Sequence, residues 1–164
     1  MSDNVKFIGD LHFGHRNIHK FRPELGLADE LEHREYLIDR WNSTVNKRDV
    51  VWVMGDACFT QEALPDLDRL RGIKFLILGN HDLGTNEIRH HFDKVCGFQS
   101  YKGFWLSHCP IHPEELRGKP NIHGHVHSKT LVDTKNYFNV SCENIDYKPI
   151  SLREIRERMN VGVL

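Results

Sequence analysis

Phe75-Leu76-Ile77-Leu78-Gly79-Asn80-His81-Asp82, halfway along a chain of 164 residues, decides how the rest is read. The four apolar residues suit a strand buried on both faces, as the strands of a parallel sheet are. Gly79 permits a sharp turn where the sheet ends, and three polar side chains follow at once. They are expected at the carboxyl end of a strand, where open α/β sheets bind ligands. Asn80 offers a carbonyl oxygen, His81 a proton near neutral pH, and Asp82 a charge to orient the imidazole.

The pattern recurs on either side. Val5-Lys6-Phe7-Ile8-Gly9 runs into Asp10-Leu11-His12, and Val50-Val51-Trp52-Val53-Met54-Gly55 runs into Asp56. Phe104-Trp105-Leu106-Ser107 ends in His108, and Asn121-Ile122-His123-Gly124 opens into His125-Val126-His127. These runs predict one site assembled from five strand ends. Its candidate ligands are Asp10, His12, Asp56, Asn80, His108, His125 and His127, a mixture of oxygen and nitrogen donors that Mn, Fe, Ni, Co or Zn accepts. So many ligands suit two divalent ions sharing a bridging carboxylate better than one ion. In Asp10-x-His12 and His125-x-His127 both side chains of a pair share one face if the chain is extended. At a turn the same spacing can divide each pair between neighbouring ions, and spacing alone leaves both arrangements open.

Between the strands, Phe13 to His19 reads as a loop or short helix over the site, with His15, Arg16 and Asn17 able to bind an anionic substrate. Pro23 and Gly26 mark a turn. A helix is expected from about Ala28 to Val45, burying Leu27, Leu31, Ile38, Trp41 and Val45, with His33 among charged neighbours on the surface. A second is expected over Gln61 to Leu70, starting near Pro65, and a short one over Asn86 to His91. Lys94–Phe98, Tyr101–Leu106, Lys129–Val132 and Tyr137–Cys142 read as strands with tight connections, so the second half is expected to be antiparallel where the first is parallel. Ser151 and Glu154 have the spacing of a capping box for a last helix with Leu152, Ile155 and Met159 buried.

Bulk properties narrow the classes. The length suits one domain, expected over residues 1–164. A net charge of −1 gives no reason to expect a nucleic-acid or membrane surface, and no apolar run reaches bilayer length. No signal peptide is evident, so a cytoplasmic location is expected. Cys58, Cys96, Cys109 and Cys142 form no CxxC pair and read as buried or half-buried free thiols. Of the twelve histidines, His19, His33, His90 and His91 are expected at the surface, His112 in a loop, and His123 in a supporting role beside His125 and His127.

Gly9-Asp10-Leu11-His12, Gly55-Asp56, Gly79-Asn80-His81-Asp82, Ser107-His108 and Gly124-His125-Val126-His127 resemble, in order, the motifs of the calcineurin-like metallophosphoesterases. The short chain is similar to that family's compact bacterial and phage members. Ala57-Cys58-Phe59 follows Asp56 where the protein serine/threonine phosphatase branch has Asp-Arg-Gly. The resemblance implies a four-layer α/β/β/α sandwich with mixed sheets and a dinuclear metal site. It implies one ion on Asp10, His12, Asp56 and His127, and another on Asp56, Asn80, His108 and His125. His81 matches the catalytic histidine and Asp82 its orienting partner. The implied activity is hydrolysis of phosphate esters, with a slight preference for small phosphodiesters, by attack of a metal-bridging hydroxide while His81 protonates the leaving group. The alternatives are a phosphomonoesterase or nucleotide phosphatase, and a non-catalytic metal-binding protein of the same fold.

Overall fold

Each apolar run forms a strand and each following glycine leads the chain out of the sheet. The computed structural model describes residues 4–162. Its strands are β1 (Val5–Ile8), β2 (Val50–Val53), β3 (Ile73–Ile77), β4 (Lys94–Cys96), β5 (Phe98–Tyr101), β6 (Phe104–Ser107), β7 (Asn121–His123), β8 (Tyr137–Asn139) and β9 (Ile150–Ser151). Its α-helices are α1 (Ile18–Phe21), α2 (Glu30–Asn42), α3 (Thr85–Ile88) and α4 (Leu152–Met159). One sheet has the order β4-β3-β2-β1-β9 and the other β5-β6-β7-β8. In the first, β1 to β4 are parallel and β9 is antiparallel to β1. Ile8 lies opposite Val53, and Val53 opposite Leu76. These strands therefore end nearly level, and the segments after them emerge side by side.

The second sheet departs from its antiparallel expectation. Only β5 and β6 form an antiparallel hairpin; β6, β7 and β8 are parallel. The segments 108–120 and 124–136 are long enough to cross back without an α-helix, which is what parallel pairing requires. The fold is therefore α/β with mixed sheets. The two sheets meet where Gly9 N–H donates to Val140 O at 2.8 Å and Cys142 N–H donates to Gly9 O at 3.1 Å. Phe7, Ile8, Val51 and Val53 share one buried apolar cluster with Phe104, Leu106 and Ile122. Burying each large apolar side chain contributes on the order of 1.5–3 kcal/mol, so this shared core holds the strand ends in place.

Several local expectations are corrected. Helix α2 starts after Asp29, whose side chain accepts from Glu32 N–H, and buries His33, Leu37, Ile38 and Trp41. Leu31 is 62% exposed and His33 is fully buried, because the column 33-37-41 faces inward and Leu31 lies off it. Gln61–Arg69 is a 3-10 helix, not an α-helix: Pro65 lies inside it and cannot supply an amide to an α-helical ladder. Lys129–Val132 forms no strand, and β8 stops at Asn139 because the chain turns to pair with Gly9. The capping box of α4 is present, with Leu152, Ile155 and Met159 buried. All four cysteines are free, but Cys109 is exposed, being carried out of the sheet on the loop after β6. Among the described residues no helix is long and apolar enough to cross a membrane.

Candidate metal centre

The site is built on backbone that side chains ordinarily avoid. Asp10, His12, Asp56, His125 and His127 all have positive φ, between 51° and 71°. Non-glycine residues in this left-handed region cost of order 1–3 kcal/mol each where nothing compensates, and such strain clusters at functional sites. Glycines let the turns close upon one another. A Cβ on Gly79 would stand 2.2 Å from Asp56 Oδ1, and one on Gly55 would stand 2.3 Å from His108 Nδ1.

All the candidate ligands converge. The ligand atoms of Asp10, His12 and His127 lie within 4.8 Å of one another, as do those of Asp10, Asp56 and His108. Asp56 Oδ2 stands between two imidazoles, 3.7 Å from His12 Nε2 and 3.3 Å from His108 Nε2. On the other side Asn80 Oδ1 is 3.0 Å from His108 Nε2, and His125 Nδ1 is 3.2 Å from the same nitrogen. Cys109 also brings its sulfur within 4.8 Å of ligand atoms of His108 and His125.

The surroundings orient these side chains. His108 Nδ1 lies 2.8 Å from the Met54 carbonyl and donates to it, which leaves Nε2 pointing at Asp56 and Asn80. His127 Nδ1 is 3.1 Å from Glu143 Oε1, a carboxylate–imidazole pair of the kind that fixes a metal-binding tautomer. Asp10 Oδ2 accepts from Ser141 Oγ at 2.7 Å and from His125 N–H at 3.0 Å. Asp10 Oδ1 and both ring nitrogens of His12 are buried without hydrogen-bond partners. Buried polar atoms are costly when unpaired. Asp10 Oδ1 and His12 Nε2, 3.7 Å apart, converge as lone-pair donors with Asp56 and His127, so divalent cations fit the residues present.

Charge follows the geometry. Burial would raise the Asp56 carboxyl, but the His108 contact, the His81 backbone N–H and the His12 ring together bring it to about 2. Burial pushes the His12 imidazole below its usual range, more than Asp10 pulls it back, so His12 is held neutral as a ligand must be. Burial likewise opposes ionisation of Glu143, yet His127 and Arg22 bring it to about 2.

Among the described residues, Asp82 makes no hydrogen bond to the His81 ring. Its carboxylate accepts the backbone N–H groups of Gly79, Asp56, Ala57 and Cys58 at 2.6–3.2 Å, clamping the loop after β3 to the loop after β2. His81 is exposed; its backbone N–H donates to Asp56 Oδ1 at 2.9 Å, and its ring stacks on Phe59 with centroids 4.8 Å apart. His15 lies beside the centre, 5.6 Å from the His12 ring, whereas Arg16 and Asn17 are exposed. His123 is buried beneath the site, and His112 lies in an exposed turn.

Arg22 carries no sequence signal and is wholly buried. Its guanidinium donates to the Asp10 carbonyl at 2.7 Å, to Glu143 at 2.9 Å and to His33 Nε2 at 2.8 Å. Phe59, Ser141 and Glu143 are likewise missed by sequence reasoning, since none belongs to a strand–glycine pattern. The only available hint is that Ser141 lies near the end of the strand-like run Tyr137–Cys142 and Glu143 just beyond it.

Fold and site together define an α/β protein with an aspartate- and histidine-rich centre at its strand ends. The chain is 34% identical to the uncharacterized protein MJ1445 of Methanocaldococcus jannaschii across 96% of its own length and 92% of that protein's. It is 39% identical to the gene 66 protein of Mycobacterium phage D29 across 96% of both chains. The chain belongs to the family these proteins represent. The crystal structure of AQ665 from Aquifex aeolicus, titled a protein of unknown function, resembles it with a TM-score of 0.75 and 27% identity, over 93% of this chain and 97% of that one. No family model matches the chain.

Proposed function

We propose that this protein is a metal-dependent phosphoesterase of the calcineurin-like kind, a four-layer α/β/β/α sandwich holding two divalent cations at its strand ends. The observation that carries this reading is the convergence of Asp10, His12, Asp56, Asn80, His108, His125 and His127 around buried donor atoms that lack hydrogen-bond partners. Asp10, His12, Asp56 and His127 would hold one cation, and Asp56, Asn80, His108 and His125 the other. Bound there, the cations supply Lewis acidity that generates a nucleophile from water and offsets phosphate charge.

The chain's own residues position the reaction. Asp56, whose Oδ2 lies between the His12 and His108 rings, would be the ligand shared by the two cations. Glu143 and the Met54 carbonyl fix the His127 and His108 rings, so their remaining nitrogens face the centre. His81 donates a proton to the leaving oxygen; Phe59 stacking holds its ring, and the Asp56 carboxylate holds its backbone. Asp82 acts on the site through the backbone it clamps.

A small phosphodiester is preferred over a monoester in this reading. The test is a parallel assay of metal-stripped protein reloaded with Mn, Ni, Co or Zn, on p-nitrophenyl phosphate and bis-p-nitrophenyl phosphate. Faster metal-dependent turnover of the diester supports the reading, and faster turnover of the monoester replaces it with a phosphomonoesterase. Absence of turnover from both, with metal bound, leaves a non-catalytic metal-binding protein.

A further inference from the structure

A cavity of about 580 Å³ opens beside the centre on the His12 and His127 side. Its walls include His15, Phe21, Glu24 and Glu143 as well as those two rings. The size suits a small organic group. Of these walls, the His15 and Phe21 rings end a run of aromatic contacts that starts outside the cavity, at the proposed proton donor. His81 stacks on Phe59 at 4.8 Å, Phe59 meets His15 at 4.8 Å, and His15 meets Phe21 at 5.8 Å. Phe21 ends this run on the short helix α1 and is 71% exposed, although its neighbour Ile18 is buried. A large ring left open to water at the lip of a cavity gains most when a ligand's apolar face covers it.

The charge on the walls narrows the ligand further. No lysine or arginine lines the cavity among the described residues, whereas Glu24 and Glu143 do. Arg22, the nearest buried cation, is turned to Glu143, His33 and the Asp10 carbonyl. Glu24 is fixed at the wall by the Tyr147 hydroxyl, which donates to its carboxylate. A second phosphate or a carboxylate on the substrate would therefore meet like charge here.

We infer that this cavity receives the non-leaving substituent of a phosphodiester, and that this substituent is a planar, uncharged aromatic group stacked on Phe21 and His15. The inference rests on the phosphoesterase reading and adds the substrate class to it. Phe21 sets the preference by contact, and Glu24 rejects anionic groups.

The test keeps the leaving group constant. Metal-loaded protein is assayed on bis-p-nitrophenyl phosphate, methyl p-nitrophenyl phosphate and 4-carboxyphenyl p-nitrophenyl phosphate, all of which release p-nitrophenolate. Phe21→Ala is expected to raise KM for the aryl diester about tenfold relative to the methyl diester, the size of one aromatic contact. Phe21→Trp is expected to restore the preference, and Glu24→Gln to lower KM selectively for the carboxyphenyl ester. Hydrolysis of all three esters with a KM ratio that Phe21→Ala leaves within twofold would overturn the inference and leave the phosphoesterase reading intact. No hydrolysis of any ester would overturn the phosphoesterase reading instead. Binding of phenylphosphonate against methylphosphonate, which needs no turnover, then decides the cavity. An aryl advantage lost in Phe21→Ala upholds its aromatic selectivity, and equal binding refutes it.

Discussion

Replacing Gly79 by alanine tests whether the close approach of two strand-end loops builds the site. The new Cβ would lie 2.2 Å from Asp56 Oδ1 and 2.3 Å from Asp56 N, inside the distance any carbon tolerates. Neither loop can yield freely, because Asp82 Oδ2 accepts from both Gly79 N–H at 2.7 Å and Asp56 N–H at 3.0 Å. Relief requires Asp56 to retreat by about 1 Å, and insertions into packed sites of this kind typically cost about 1–3 kcal/mol. In a chain of this size that corresponds to a Tm lower by roughly 2–12 °C. Moving the carboxylate that lies between His12 and His108 should weaken metal binding by at least the roughly 10–100-fold typical of lost supporting contacts. Gly97→Ala is the control, since a Cβ there meets nothing within 4 Å. Thermal unfolding of the metal-free variants and titration with Mn read the two effects separately. A Gly79→Ala protein with wild-type Tm and wild-type metal affinity would show that this close approach does not build the site.

Three further outcomes are expected. His81→Gln should keep both cations yet lose about 10²–10⁴-fold in turnover of alkyl esters, and much less with p-nitrophenolate, which leaves without a proton; equal losses for both leaving groups would remove His81 as the acid. Asp82→Asn should lower metal-free stability by about 1–3 kcal/mol, because an amide cannot accept all four backbone N–H groups, and a urea midpoint matching wild type would contradict the clamp. Burial, aided by Arg22, pushes the His33 imidazole down to about 3, whereas an unfolded histidine titrates near 6.5. A lowered folded value means stability is complete above about pH 6.5 and declines on acidification toward pH 3, by up to about 1.4 kcal/mol per pH unit. Urea unfolding of the metal-free protein at pH 7.0 and 5.5 checks this, with His33→Gln expected to show the shallower loss.

The site was more legible in the sequence than the elements around it. An apolar run followed by glycine and a polar residue ties strand end, turn and ligand together locally, so neighbouring residues suffice to place Asp10, Asp56 and Asn80. What depends on distant partners could not be read this way. His33 sits among charged residues along the chain but beneath Arg22 in space. Asp82 next to His81 suggests a side-chain pair, yet backbone amides, which leave no trace in composition, claim its carboxylate. The parallel pairing of β6, β7 and β8 was hidden because their crossovers contain no α-helix to announce them. β9 is two residues long, too short for any alternation to show.

The most direct measurement is a metal count and a turnover assay on the same stripped and reloaded protein, beside Asp56→Asn. Two cations per wild-type chain, metal-dependent hydrolysis of bis-p-nitrophenyl phosphate, and loss of both cations and activity in the variant are expected. Full occupancy without hydrolysis, or a variant that binds and turns over like wild type, would contradict the phosphoesterase reading.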